Sequence, residues 1–261
     1  MAQYSVQRKH HYSRTNNDVH EVVMLADRAG NIINTFGSAS NIPIAAGEVT
    51  GYSHINKFGY TGTDQNGTAT VWDANNTTAI YPYPAAGVVT MTSTDGGDTG
   101  EEVEIQGLDG DYNQVIENVN IGSTGAVTFS RIFRARMTGA DNAGTVTINQ
   151  GGALAAQIRA GNGQTLMAVY TIPAGKTGYL LKIQGSMDKQ NAPVVFKLFT
   201  RPFGAGFNIK GQWGSQGGNS INYDYPVPLV FSEKTDIRVD VTTGGTCGNG
   251  AIFDLVLVNN A

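Results

Sequence analysis

Several stretches of this sequence carry residue types that could do chemistry. Gly175-Lys176-Thr177 ends like a phosphate-binding loop, in which backbone N–H groups and a lysine meet the anion. Such a loop needs a glycine five residues before Gly175 and a helix after the threonine. Tyr170 stands at the first place, and Tyr179-Leu-Leu-Lys-Ile183 alternates like a strand, so the motif reads as a turn. Asp109, Asp111 and Asn113 begin like a calcium loop, but an EF-hand then needs Gly at 114 and Glu at 120, where the chain has Gln114 and Asn120. Asp95, Asp98, Glu101 and Glu102 form a second acidic cluster, of the kind found in solvated turns. His10, His11, His20 and His54 all lie in the first fifth of the chain, match no closed zinc site, and offer no buried base for a hydrolytic triad. Glu102 and Glu104 share one strand face, as outward charges on any sheet do; a glycosidase pair would further need a cleft holding them about 5–10 Å apart. The single Cys247 excludes an intrachain disulfide and a cysteine-based zinc site. Trp72, Tyr81, Tyr83, Trp213, Tyr223 and Tyr225 could stack on sugars, or serve as core and interface anchors. No catalytic, cofactor-binding or metal-binding residue is expected, and no enzyme.

The elements that would position these residues are strands. The segment 165–187 reads as an apolar hairpin turned at Pro173-Ala174-Gly175-Lys176, with Tyr179, Leu181 and Ile183 on one face. Such a hairpin needs a second sheet to cover it. Val103 and Ile105 alternate with Glu102, Glu104 and Gln106; Val194, Phe196 and Leu198 alternate around Val195 and Lys197; Ile237, Val239 and Val241 alternate with Asp236, Arg238 and Asp240. Pro226 and Pro228 confine the segment 223–231 to an edge strand or an extended connection. The apolar run 252–258 reads as a buried strand, and 22–36 as a hairpin around Asp27-Arg-Ala-Gly30. The segment 38–51 is loop-like, and no helix longer than one or two turns is expected. Short strands at regular spacing predict an all-β chain: an antiparallel β-sandwich, jelly-roll-like, with an extended N-terminal arm. The expected division is an N-terminal arm and hairpin over 1–50 and a β-sandwich body over 51–261.

Composition agrees. There are 34 glycines in 261 residues, nearly twice the usual share of about 7%, and charged residues make up only 15%. Gly, Thr and Asn suit turns and strands better than helices. A net charge of −4 argues against a general nucleic-acid binder. No stretch has the length of a membrane span, and the N-terminus lacks the apolar core of a signal peptide, so neither membrane nor secretion is expected. Residues 1–18 are locally basic. Arg8, Lys9, His10, His11 and Arg14 form a candidate assembly arm, with no acid before Asp18. Low charge lowers the cost of burying surface in a contact, so the chain suits packing against copies of itself or a larger scaffold.

Three strings carry a resemblance: His54-Ile-Asn-Lys-Phe-Gly59, Gly107-Leu-Asp-Gly-Asp-Tyr-Asn-Gln-Val-Ile-Glu-Asn-Val119, and Ala160-Gly-Asn-Gly-Gln-Thr-Leu-Met-Ala-Val-Tyr-Thr-Ile-Pro-Ala-Gly-Lys-Thr177. Over residues 52–241 the chain resembles a family of tailed-bacteriophage virion proteins, of the type found in marine and cyanobacterial phages. The resemblance carries over no catalytic residue. It implies a structural place in a virion assembled in the host cytoplasm. A surface capsid decoration (cement) protein is the expectation, with copies of itself and the major capsid protein or another virion protein as partners. A tail, neck or fibre component touching a host glycan is the alternative.

Overall fold

The computed structural model describes the backbone of residues 5–12, 19–26, 32–33 and 41, and all atoms of 42–189 and 191–260. The chain divides into two compact units, Met1–Ser53 and His54–Ala261.

The first unit is a small antiparallel sheet in the order β1 (Ser5–Tyr12), β2 (Val19–Ala26), β3 (Ile32–Ile33), followed by a one-turn helix α1 (Asn41–Ala45). Residues 5–12 of the expected arm are therefore a strand: Arg8 lies opposite Val23, Lys9 opposite Val22, His10 opposite Glu21 and His11 opposite His20. The valines of β2 suit a strand and give the polar β1 a ladder to join. The expected hairpin is present, with Leu25 opposite Ile33 and Ala26 opposite Ile32. The helix corrects the loop expected at 38–51; Pro43 is tolerated because it lies in the first turn, where its missing N–H has no helical partner.

The second unit holds two sheets whose wiring defines the fold. One has the order β16 (Ile221–Phe231), β13 (Lys176–Met187), β18 (Asn249–Asn259), β4 (Tyr52–Tyr60). The other has the order β12 (Val169–Thr171), β17 (Asp236–Thr243), β14 (Val194–Arg201), β15 (Asn208–Ser215), with β5 (Gly67–Thr70) also paired to β17. From β12 onward the chain crosses between the sheets at almost every connection, and only β14 and β15 are sequential neighbours in one sheet. That is the double Greek key of a jelly roll. Ile237, Val239, Val241, Phe196 and Leu198 from one sheet meet Leu180, Ile183, Phe253, Leu255 and Leu257 from the other in a single core.

Two sequence expectations change here. The segment 165–187 is not a hairpin: β12 pairs with β17 while β13 pairs with β16 and β18, so the turn at Gly175 (φ +69°) carries the chain from one sheet to the other. Within β13 a bulge between Leu180 and Lys182 shifts the register, which buries Leu180 and Ile183 instead of the row Tyr179, Leu181, Ile183. In contrast, β16 is the edge strand its prolines required.

An insertion interrupts one edge of the jelly roll. β5 and β12 lie end to end along β17, Thr70 opposite Asp240 and Val169 opposite Arg238. Between them Val71 N–H donates to Val239 O, Val239 N–H to Ala168 O, and Ala168 N–H to Val71 O, at 2.8, 3.1 and 2.9 Å. The strand is thus one line broken between Val71 and Ala168, and residues 72–167 leave and return side by side, Trp72 paired with Met167. The excursion builds β6 (Val89–Ser93), β7 (Glu102–Leu108), β8 (Gln114–Asn120), β9 (Arg131–Met137), β10 (Val146–Gln150) and β11 (Ala153–Ile158). These form two three-stranded sheets, β8-β7-β9 and β11-β10-β6. Their inner faces make a second core, closed at the stem by Trp72, Tyr81 and Met167. Gly59 of β4 crosses this stem so closely that an added Cβ would meet Val71 O and Ala168 N, so only glycine fits.

Candidate functional site

Where the inserted sandwich meets the jelly roll, one carboxylate gathers charge from both. Asp236 opens β17 and its side chain is 3% exposed. Arg131, from β9 of the insertion, binds it bidentately, Nε to Oδ1 at 2.8 Å and Nη2 to Oδ2 at 3.1 Å. Arg201, at the end of β14, donates to Oδ2 through Nε at 2.9 Å and Nη2 at 2.5 Å. Thr171 of β12 donates to Oδ1 at 2.7 Å. Arg131 also donates through Nη1 to Ser130 O at 2.7 Å. Burial opposes the Arg131 charge, but the Asp236 carboxylate more than offsets it and raises the guanidinium pKa above its ordinary value.

Aromatic rings sheath these cations. Arg201 lies over Tyr83 at 4.7 Å and Phe207 at 4.5 Å; Arg131 lies over Tyr83 at 5.4 Å and Tyr112 at 5.5 Å. Lys234 lies 5.4 Å from both Tyr112 and Phe203, and those two rings meet edge to face at 5.7 Å. Arg238, held by Asp240 at 3.1 Å, covers Phe207 at 4.2 Å. Three non-glycine residues among those described have positive φ: Tyr83 (+50°), Tyr112 (+70°) and Lys234 (+59°). All three sit in this cluster. Left-handed backbone costs energy in residues with a Cβ, so the surrounding fold holds these side chains in place against that cost. Tyr112, Arg131, Arg201, Phe203, Lys234 and Asp236 line an open cavity of about 350 Å³.

A second polar site lies at the stem. Lys57 of β4 is buried, donates to Phe133 O and lies 5.8 Å from the Phe133 ring. Asp73, also buried, accepts from Leu166 N–H at 3.0 Å, while Arg159 donates to the Asp73 carbonyl at 2.8 Å. Burial lowers the Lys57 amine to about 7, with Arg134 adding to the effect and Asp73 opposing it. Burial raises the Asp73 carboxyl to about 7 against its hydrogen bonds and the nearby Arg159 and Lys57 charges. Lys57 borders a cavity of about 270 Å³ with His54, Gln106, Arg134 and Tyr170.

The residues singled out from sequence mostly go elsewhere. Arg14 lies outside the described residues, as do the side chains of Arg8, Lys9, His10 and His11. Asp109 spends its carboxylate on the N–H groups of Asp111 and Asn113, both at 2.9 Å, which pins the β7–β8 turn and lowers its pKa. Asp98 is held by Ser93 and by the N–H groups of Ala143 and Gly144. Glu104 is bidentate with Arg136 and its carboxyl falls to about 2, while Glu102 binds Asn118 and Thr138. Lys176 opens a strand and reaches Asn259, as a turn residue would. His54 sits 3.3 Å from Asp254 on an outer sheet face. Of the aromatics, Trp72 and Tyr81 are core, Tyr83 joins the cationic cluster, and Tyr223 of β16 lies 6.0 Å from Trp213 of β15 and meets Tyr225 edge to face at 4.8 Å. Sequence reasoning missed Arg131, Arg201, Lys234 and Asp236. The available signal was the Asp236–Arg238–Asp240 row, which is the polar face of a strand with Asp236 and Asp240 buried.

Fold and site together define an all-β, antiparallel jelly-roll sandwich carrying an inserted second sandwich, with a cation-rich aromatic pocket at their junction. No protein-family model matches the chain, and no curated protein matches it. Among solved structures it is similar to the VP2 subviral particle of infectious bursal disease virus, at 11% identity over 80% of this chain and 72% of that one, with a TM-score of 0.18. The Gx strain of the same virus matches at 11% identity over 80% and 76%, with a TM-score of 0.20. At these TM-scores the likeness carries no weight for function. Among the described residues, no helix is long and apolar enough to cross a membrane.

Proposed function

We propose that the chain is a structural virion protein of the tailed-phage type it resembles in sequence, acting as a surface capsid decoration protein without catalysis. The observation that carries this reading is the apolar flank formed by β15 and β16. Ile209 of β15 and Tyr223, Val227 and Val230 of β16 are all exposed, Val227 at 79% and Val230 at 61%. Trp213 of β15 and Tyr223 of β16 stand 6.0 Å apart, so the two edge strands share the flank. Large apolar side chains exposed along two neighbouring sheet edges suit a contact with another protein surface, here copies of itself and the shell beneath. Pro226 and Pro228 keep the β16 backbone from templating an added strand, which directs the contact through side chains. Contacts made only in the assembled particle would stabilise it mechanically, as any ligand selective for one state does.

The test is the mass of the purified protein in solution followed by co-sedimentation with empty heads. An oligomer that pellets with heads supports decoration; a protein that ignores heads and pellets with tails or host cells supports a tail, neck or fibre component. The cationic aromatic pocket favours that second reading, since a host glycan would need such a recess.

A further inference from the structure

The pocket around Lys234 has a chemistry of its own that holds wherever the protein sits in a particle. Charges facing it are unbalanced. Arg131, Arg201 and Lys234 line it against the single carboxylate of Asp236. Asp236 takes both nitrogens of the Arg131 fork and two from Arg201, but Arg201 Nη1 and the Lys234 ammonium have no hydrogen-bond or ion-pair partner among the described residues. These are donors suited to an oxyanion. The remaining walls are apolar: the Tyr112 and Phe203 rings stand at 85° to each other, with Pro202, Gly204 and Ala205 at the lip. A cavity of about 350 Å³ is at the small end of ligand sites and has the size for one or two ring-sized groups rather than an extended peptide. Phe203, 66% exposed, offers a flat face for the C–H face of a pyranose, with Tyr112 beside it.

We propose that this pocket binds an acidic saccharide, a pyranose carrying a carboxylate, with the carboxylate on Lys234 and Arg201 and the sugar ring against Tyr112 and Phe203. Backbone strain at Tyr112 and Lys234 fits a recess built before the ligand arrives. The three cations are already held by rings or by Asp236, so little side-chain freedom is lost on binding.

The test uses the full chain and ligand-observed saturation-transfer NMR with sodium glucuronate and N-acetylneuraminate. Methyl glucoside serves as the uncharged control, sodium sulfate as the bare oxyanion, and a short glutamate peptide as the acidic polypeptide. The expected result is transfer to ring protons of at least one acidic sugar, with no transfer to methyl glucoside and no displacement by equimolar sulfate. Phe203 is 66% exposed and Lys234 is a turn residue, so Phe203→Ala and Lys234→Gln are compatible with a folded chain. Each should weaken binding about tenfold, Lys234→Gln through the loss of one charge-assisted contact and Phe203→Ala through the loss of the ring the sugar packs on. Ile116→Ala, exposed on β8 of the insertion, should leave it unchanged. Equal binding of methyl glucoside, displacement by sulfate at equal concentration, tighter binding of the glutamate peptide, or no transfer from either acidic sugar would each overturn the assignment.

Discussion

Arg131 Nε and Asp236 Oδ1 lie 2.8 Å apart across 105 residues of sequence, and this pair ties the inserted sandwich to the jelly roll that carries it. Arg131 belongs to the insertion and Asp236 to the body. Both are largely buried, and Arg201 shares the carboxylate from a third strand. Removing the carboxylate leaves two guanidinium groups facing each other without their counter-ion. Asp236→Asn should therefore destabilise the protein by about 3–5 kcal/mol, the usual cost of breaking a buried pair from one side. Urea denaturation measures it. A loss below about 1 kcal/mol, the range of surface pairs, would mean that the junction is held by its apolar contacts alone.

The buried amine and carboxyl at the stem give stability an unusual pH profile. Lys57 falls to about 7 in the folded chain from an ordinary 10.5. Between those values the unfolded chain binds the proton that the folded chain has released, so stability rises with pH. Asp73 rises to about 7 from 3.8, so between those values the folded chain holds a proton that the unfolded chain lacks, and stability falls as pH rises. The two slopes meet near neutrality. Thermal midpoints at pH 5, 7 and 9 should be lowest at pH 7. Lys57→Met should abolish the rise from 7 to 9, and Asp73→Asn the fall from 5 to 7. A wild-type profile that peaks at pH 7 would contradict both assignments.

Much of the sandwich was legible because alternation reports burial directly. Val103 and Ile105 in β7, Phe196 and Leu198 in β14, and Ile237, Val239 and Val241 in β17 all point inward as their spacing required. What alternation does not encode is partner choice. β12 and β13 look like a hairpin because a glycine turn joins two apolar runs, yet the jelly roll sends them to opposite sheets. Nor does local pattern show that the polar face of β17 lies buried beneath Arg131, Arg201 and the Tyr83 ring, since Asp236 and its partners are brought together only by tertiary wiring. The aromatics divide for the same reason: Trp72 and Tyr223 differ in nothing local, but one closes the stem and the other lies on a flank.

Gly59 tests the stem geometry. Its missing Cβ is replaced by backbone atoms of Val71 and Ala168, where the insertion departs and returns, and backbone cannot rotate aside as a side chain can. Gly59→Ala should cost about 1–3 kcal/mol or more, the range of overpacked sites. Gly110→Ala, where an added Cβ meets nothing within 4 Å, is the matched control and should shift the urea midpoint little. Equal behaviour of the two variants would show that the strand β4 does not press on the stem.

The basic N-terminal segment 1–18 is the assembly arm expected from the sequence. Residues 5–12 belong to the first compact unit, while the second unit has its own two cores. Deleting residues 1–18 should leave the thermal transition of the body unchanged and reduce co-sedimentation with heads. Unchanged pelleting after the deletion would remove Arg8, Lys9, His10, His11 and Arg14 from the contact.

The apolar flank can be separated from the fold because its side chains already face water. Val227 and Val230 are mostly exposed in the single chain, so charging them costs the isolated subunit little; surface changes of this type stay within about 0.5 kcal/mol. In a contact the same change buries an unpaired carboxylate, which costs far more than the lost methyl groups. Val227→Asp with Val230→Asp should therefore convert an oligomer to monomer by sedimentation velocity while the urea midpoint of the monomeric fold stays in place. Lys210→Glu, on β15 of the same flank but already polar, separates general charge effects from apolar contact and should leave the mass unchanged. If the double variant keeps the wild-type mass, the flank is not where copies meet. If wild type is itself a monomer that still pellets with heads, the flank meets the shell alone, and the double variant should then fail to pellet.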